Sequence, residues 1–249
     1  MLAPAAETWI LLGASSPIGR AFAEQVARSG SHLILAGRDM DDLEATAAHL
    51  RIATPATVET FRFDAADLSS HRAAAEAWAQ HPGRLNAVLL FASMPEQKDM
   101  DASPDLARDC IAATYVGAVS ILQHLAPHIE ARKAGTIIGI GSVAGDRGRL
   151  KNYVYGSAKA GLHTYLAGLR NRLGRSGAHV LTAKLGFVDT ALTWGSPGVF
   201  LAASPEMVAH KCLSAARRKR NICYVPWFWA LIMLIIRNVP ETIFKRLSI

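Results

Sequence analysis

The chain has 249 residues, 51% of them apolar and 19% charged, with a formal net charge of +7. That is one domain of ordinary size with enough apolar residues for a sizeable core, and neither a linker nor a repeat is visible. The three scattered cysteines, Cys110, Cys212 and Cys223, argue against a disulfide framework and a cysteine zinc site and fit a reducing compartment.

Thr8-Trp9-Ile10-Leu11-Leu12 reads as a buried strand, followed by Gly13-Ala14-Ser15-Ser16-Pro17-Ile18-Gly19 and a helical run over residues 20–29. No secretory signal is expected, since the residues before Ile10 lack basic charge and the apolar run stops at Gly13. Strand, glycine turn and helix in that order aim backbone N–H groups and a helix dipole at a pyrophosphate. Pro17 removes one backbone donor, but its fixed φ suits the first turn of a helix. A second strand, His32-Leu33-Ile34-Leu35-Ala36, ends at Gly37-Arg38-Asp39, and a helix over 40–51 leads to a third strand ending in Phe61-Arg62-Phe63-Asp64. Helices over 69–81 and 105–132 flank Leu90-Phe91-Ala92-Ser93. His124 and His128 have i,i+4 spacing without an accompanying acidic base and read as ordinary helix residues, so no metal site is expected.

A short apolar strand, Gly135-Thr136-Ile137-Ile138-Gly139-Ile140, runs into Gly141-Ser142-Val143-Ala144-Gly145 and puts Ser142 where a strand meets its loop, able to orient a substrate oxygen. The helix over 152–175 carries Tyr155 and Lys159, four apart and therefore on one face. A phenol has a pKa of about 10, and a fixed cation beside it favours the phenolate, so the pair reads as a tuned proton donor for the alkoxide left by carbonyl reduction. A sixth strand over 179–184, the run Leu185-Gly186-Phe187-Val188-Asp189-Thr190, a substrate loop over 191–204, a helix over 205–218 and a last strand over 221–225 complete the alternation. Short β-branched runs between alanine-rich helices predict a parallel sheet covered on both faces.

The chain then runs Pro226-Trp227-Phe228-Trp229-Ala230-Leu231-Ile232-Met233-Leu234-Ile235-Ile236 before Arg237, and ends with Lys245 and Arg246 in its last turn of sequence. This apolar run is shorter than the roughly 20 residues a spanning helix needs. A tryptophan-rich apolar helix flanked by basic residues can lie in a bilayer interface, or it can pack on the domain or a sister subunit. The division expected is therefore a domain over 1–225 and a tail over 226–249. No nucleic-acid partner is expected, because the basic residues come without an interleaved exposed aromatic stripe or a recognised binding motif.

Gly13 and Gly19, Ser142, Tyr155 and Lys159 at these separations resemble the short-chain dehydrogenase/reductase family over nearly the whole chain. The resemblance implies a single α/β Rossmann domain, a doubly wound parallel sheet of about seven strands with the apolar helical tail appended. It also implies a nicotinamide cofactor and a Ser142, Tyr155 and Lys159 catalytic set, with Lys159 gripping the ribose as well as tuning the phenol. Thr114 stands where the family commonly has a relay asparagine, Leu185 replaces a usual proline, and Leu90-Phe91-Ala92-Ser93 replaces Asn-Asn-Ala-Gly. The cofactor contacts implied are Gly13, Ser15, Ser16, Ile18, Gly19, Arg38, Asp64, Ala92, Tyr155, Lys159, Val188 and Thr190. An acidic residue at the end of the second strand would accept from a ribose 2′-hydroxyl, whereas an arginine accommodates a 2′-phosphate, so Arg38 favours NADPH while Asp39 leaves NADH open.

Within the family, the runs Gly141 to Arg149 and Asn152 to Gly161 and the ending Val225-Pro226-Trp227 through Pro240 to Leu247 resemble the reductases of decaprenylphosphoryl-ribose 2-epimerase pairs. That resemblance implies reduction of a 2-keto sugar on a polyprenyl phosphate for cell-wall polymers, a flavin oxidase as partner, a homo-oligomer, and a cytoplasmic protein peripheral to the inner face of the membrane. The alternatives are reduction of a soluble ketone (steroid, quinone or acyl thioester) and a non-catalytic nucleotide-sensing protein.

Overall fold

In the computed structural model, residues 7–190 and 201–247 are described. Seven strands form one parallel sheet: β1 (Glu7–Leu12), β2 (His32–Gly37), β3 (Thr57–Arg62), β4 (Arg84–Leu89), β5 (Thr136–Ser142), β6 (His179–Leu185) and β7 (Ile222–Val225), in the order β3-β2-β1-β4-β5-β6-β7. The protein is thus a single Rossmann-like α/β domain, as its alternation of elements predicts. β6 is buried at every position and β2 and β4 at all but the first, the pattern of strands covered on both faces.

One face is covered by α1 (Pro17–Ala27), α2 (Met40–Ala53) and α8 (Pro205–Arg217), whose Phe22, Leu43 and Leu213 pack with Leu33, Leu35 and Leu181. The other face is covered by α3 (His71–Trp78), α6 (Gly117–Ala131) and α7 (Tyr153–Gly174), which bury Trp78, Leu122 and Leu166 against Ile10, Ile34 and Ile137. β1 lies between β2 and β4, so the chain's connections diverge there and open a crevice beyond the strand C-termini.

Three local features depart from the sequence expectation. α1 begins at Pro17, three residues before the expected start, because the Ser16 hydroxyl accepts the Gly19 N–H at 3.0 Å and Pro17 fits the first turn. The single helix expected over 105–132 is α5 (Pro104–Ile111), a π-helical turn (Ala112–Val116) and then α6, and the turn sets Gly117 so close to Ala65 that a Cβ would lie 2.1 Å from its carbonyl oxygen. A short α4 (Gln97–Ala102) has no apolar periodicity to announce it.

The apolar tail forms α9 (Trp229–Asn238) and α10 (Glu241–Phe244). Trp229 and Met233 are buried with Val143, against Phe187, Tyr224, Phe228, Ile232 and Ile236. The opposite side of the tail presents Trp227, Leu231, Leu234, Ile235 and Ile243, each more than half exposed. The Arg147 guanidinium holds the tail in place: it donates to the carbonyls of Ile236 and Val239, each at 2.6 Å, pairs with Glu241 at 2.8 Å and lies 3.7 Å over the Phe244 ring. Cys212 on α8 and Cys223 on β7 are both free and lie close enough to perturb each other's thiol, pushing Cys212 up and Cys223 down.

Candidate active site

The turn between β1 and α1 is built for close approach. Gly13 has φ +94°, and a Cβ on Gly19 would lie 2.6 Å from Gly13 O and 2.7 Å from Ala14 Cα. Gly13 and Ala14 N–H bond to Ala36 O, Ser16 N–H to Gly13 O and Gly19 N–H to the Ser16 hydroxyl, while the N–H groups of Ser15 and Ile18 have no hydrogen bond among the described residues. Two free donors at a helix N-terminus suit an anion, so the residues present fit a nicotinamide dinucleotide's pyrophosphate.

Arg38 is exposed just past β2, whereas Asp39 is the N-cap of α2, its carboxylate accepting the Asp42 N–H at 3.1 Å. The acidic alternative is thus occupied by a capping bond and the arginine is not. Asp64, after β3, accepts the Ala66 N–H at 2.9 Å in a local turn, and its carbonyl meets His71 Nε2 at 3.1 Å. Ala92 is exposed past β4, next to Phe91, whose ring stacks on Phe63.

Ser142 ends β5, and its hydroxyl accepts the Ala144 N–H at 3.1 Å. Tyr155 enters from the first turn of α7, which approaches so closely that a Cβ on Gly156 would lie 2.8 Å from Ala144 O. Tyr155 packs with Met100, Cys110 and Ala144, so α4 and α5 wall the phenol on its outer side. Lys159, one turn further along α7, is 1% exposed and donates to Phe91 O and Ile140 O, each at 2.8 Å. Its ammonium lies 5.7 Å from the centre of the Tyr155 ring.

The expectation that Lys159 draws the phenol's pKa down needs correction for the protein by itself. Burial pushes Tyr155 up to about 12, with the Ser142 hydroxyl pulling weakly the other way, and burial pulls Lys159 down to about 7. Both charged forms lose water, and the lysine spends its N–H groups on carbonyls rather than on the phenol. A phenol held that high is fully protonated at neutral pH, which is the form a proton donor needs.

Thr114, in the π-helical turn, is buried, and its hydroxyl accepts the Ser93 N–H at 3.2 Å and faces Ser93 O at 3.4 Å. Cys110 donates to the same carbonyl at 3.0 Å. Both side chains therefore fix the chain leaving β4. Val188 is buried and bridges to Ala203, and the Thr190 hydroxyl faces Val188 O at 3.5 Å. Most of the expected substrate loop, residues 191–200, lies outside the described residues.

Sequence reasoning missed the polar core behind Ser142. The Asp146 carboxylate pairs with Lys184 Nζ at the end of β6, accepts from Tyr224 OH on β7 at 2.7 Å and sits 3.7 Å from His163 Nδ1 on α7. One carboxylate thus ties the ends of three strands to the catalytic helix, and burial pulls His163 down to about 4. Its signal was the run Asp146-Arg147-Gly148-Arg149 after the Ser142 loop, where charge follows an apolar strand.

Residues 7–197 match the family model described as short chain dehydrogenase. The chain is 34% identical over 239 residues to an uncharacterised oxidoreductase of Mycobacterium tuberculosis, covering 96% of each. Among solved structures, it superposes on a short-chain dehydrogenase from Sphingobium yanoikuyae in complex with NADPH with a TM-score of 0.78 at 23% identity, covering 95% of this chain and 97% of that one. It also superposes on the L-sorbose reductase of Gluconobacter frateurii, complexed with NADPH and L-sorbose, with a TM-score of 0.77 at 22% identity, covering 88% and 94%.

Proposed function

This chain belongs to the short-chain dehydrogenase family and is an NAD(P)-dependent oxidoreductase, and on that premise we propose that it is an NADPH-dependent ketoreductase acting on a 2-keto sugar carried by a polyprenyl phosphate, in cell-envelope polysaccharide synthesis. In that reading Tyr155 would donate the proton that neutralises the alkoxide. The chemistry a bound nicotinamide supplies is hydride transfer to the carbonyl carbon. The Ser15 and Ile18 N–H groups would hold the pyrophosphate, Arg38 the 2′-phosphate, and Val188 and Thr190 the carboxamide end. Ser142 would orient the keto oxygen toward Tyr155. Lys159, anchored on Phe91 O and Ile140 O, would keep the catalytic helix in register with β4 and β5 and reach the ribose.

The observation that carries the lipid-linked substrate is the tail. α9 buries Trp229 against Phe187 and Val143, beside the loops after β5 and β6, and turns Leu231, Leu234 and Ile235 outward, with Trp227 exposed just before it and Arg237 near its end. An apolar stripe with basic residues beside the catalytic loops suits a protein resting on the cytoplasmic face of a membrane and drawing its substrate from there. The Sphingobium and Gluconobacter neighbours, both complexed with NADPH, are in keeping with the proposed cofactor. A flavin oxidase would supply the ketone, and the enzyme would work as a homo-oligomer.

Reduction of a synthetic polyprenyl-phosphate keto-pentose by the purified protein tests the reading. Turnover with NADPH is expected, with Tyr155→Phe losing about 100-fold or more while still binding NADPH. Undiminished turnover by Tyr155→Phe would sink the assignment of the acid. Activity on soluble ketones alone, with no flotation on anionic vesicles, would sink the lipid-linked substrate.

A further inference from the structure

We propose that His32, Glu59 and His81 form a binding site for a divalent transition-metal ion of the zinc class, at the end of the sheet remote from Tyr155. The three residues are far apart in sequence and are brought together by the fold. His32 opens β2, Glu59 lies in the neighbouring β3, and His81 follows α3. The parallel register pairs Ile34 with Glu59, so alternation puts His32 and Glu59 on the same sheet face. α3 packs on that face through Trp78, against Phe61 and Phe63, and delivers His81 beside them.

The donor atoms already lie in a metal-sized group. His32 Nε2 is 3.0 Å from one oxygen of Glu59, His81 Nε2 is 3.7 Å from the other, and all three ligand atoms lie within 4.8 Å of one another. Zinc bonds of about 2.0–2.2 Å in a tetrahedral arrangement separate neighbouring donors by roughly 3.3 Å, so small side-chain adjustments bring all three onto one ion. The imidazoles meet edge to face with centres 4.4 Å apart, and each has its Nε2 at the Glu59 carboxylate.

The cluster is also partly dry, for His32 Nε2 is shielded from solvent, 3.0 Å from a Glu59 oxygen. Two imidazoles and one carboxylate suit zinc, cobalt, nickel or copper and discriminate against calcium and magnesium, which take oxygen ligands. β3 is the edge of the sheet, and an ion here would clamp it to β2 and to the segment after α3. No residue of this site touches the nucleotide turn or Tyr155, and the inference does not depend on the proposed substrate.

The test is a titration of the chelator-stripped, full-length protein with Zn²⁺ against a chromophoric competitor, repeated with Co²⁺ for its visible absorption. One Zn²⁺ per chain is expected, at roughly micromolar affinity or tighter, with no competition from Mg²⁺. His81→Ala should weaken binding by roughly 100-fold and abolish the Co²⁺ absorption, and Glu59→Gln, which keeps the side-chain shape, should weaken it by at least about 10-fold. NADPH binding should be unchanged in both, which establishes that they fold. Wild-type protein that binds no stoichiometric Zn²⁺ overturns the proposal, and so does binding that survives both substitutions, since Cys212 and Cys223 would then be the ligands.

Discussion

Gly19→Ala offers the sharpest quantitative test of the nucleotide turn. The added methyl would stand 2.6 Å from Gly13 O, 2.7 Å from Ala14 Cα and 2.8 Å from Ala14 O, where ordinary contact begins at about 3.5 Å. Every obstacle is backbone, so no rotamer change relieves the overlap and the turn must open by the better part of an ångström. That motion pulls the Ser15 and Ile18 N–H groups off a common anion. A charge-assisted hydrogen bond contributes about 1.5–3 kcal/mol, so losing one corresponds to roughly 10- to 100-fold weaker NADPH binding. The assay is NADPH fluorescence titration with a thermal melt on the same samples. Gly168→Ala is the control: its Cβ would meet nothing within 4 Å on α7, and an alanine there should leave binding alone and stabilise the helix by up to about 1 kcal/mol. Gly19→Ala that remains folded and binds NADPH within about threefold of wild type would refute the reasoning.

Arg38→Ala should weaken NADPH binding by roughly 10- to 100-fold and leave NADH binding nearly unchanged, as read by the same titration; equal losses for both cofactors would remove Arg38 from the 2′-phosphate. His163, held near 4 against 6.5 when unfolded, contributes stability that is present above pH 6.5 and lost as the pH falls through 4, by roughly 3 kcal/mol. Urea melts from pH 7 to 4 should show that decline in the wild type and a flatter one in His163→Gln; parallel curves would show that other groups dominate. Trp229→Ala removes a side chain that is 3% exposed and packs edge to face on Phe187, with ring centres 5.5 Å apart. The expected loss is about 3–5 kcal/mol, or roughly 6–15 °C in Tm by calorimetry, and an unchanged Tm would mean that α9 is not part of the cooperative core.

Local signals made much of the fold legible. Apolar runs separated by alanine-rich stretches announced the strands and the covering helices, and the glycine turn after the first run announced where α1 begins, to within three residues. α4 carries no apolar stripe, and the π-helical turn at Ala112–Val116 reflects the approach of Gly117 to Ala65, a contact between distant segments. Of the candidate site, the helical spacing of Tyr155 and Lys159 was readable, but the balance of their proton affinities was not. Sequence suggested a cation acting on a phenol, whereas the dominant effect is burial, which depends on α4, α5 and the Ser142 loop closing around the phenol and on the Phe91 and Ile140 carbonyls taking up the ammonium.

By itself the sequence determined the strands and the main covering helices, the parallel class of the sheet and the positions of the nucleotide turn and the Tyr155 helix, because each follows from residues within one or two turns of chain. Only the tertiary structure decided which distant groups share a site. It joined Asp146 to Lys184, Tyr224 and His163, put Lys159 on the carbonyls of Phe91 and Ile140, folded α9 back under Arg147, and gathered His32, Glu59 and His81. The physical reason is that hydrogen bonds and charge pairs act over a few ångströms in space, and the separation of two residues along the chain says nothing about that distance until the sheet has set its order and register.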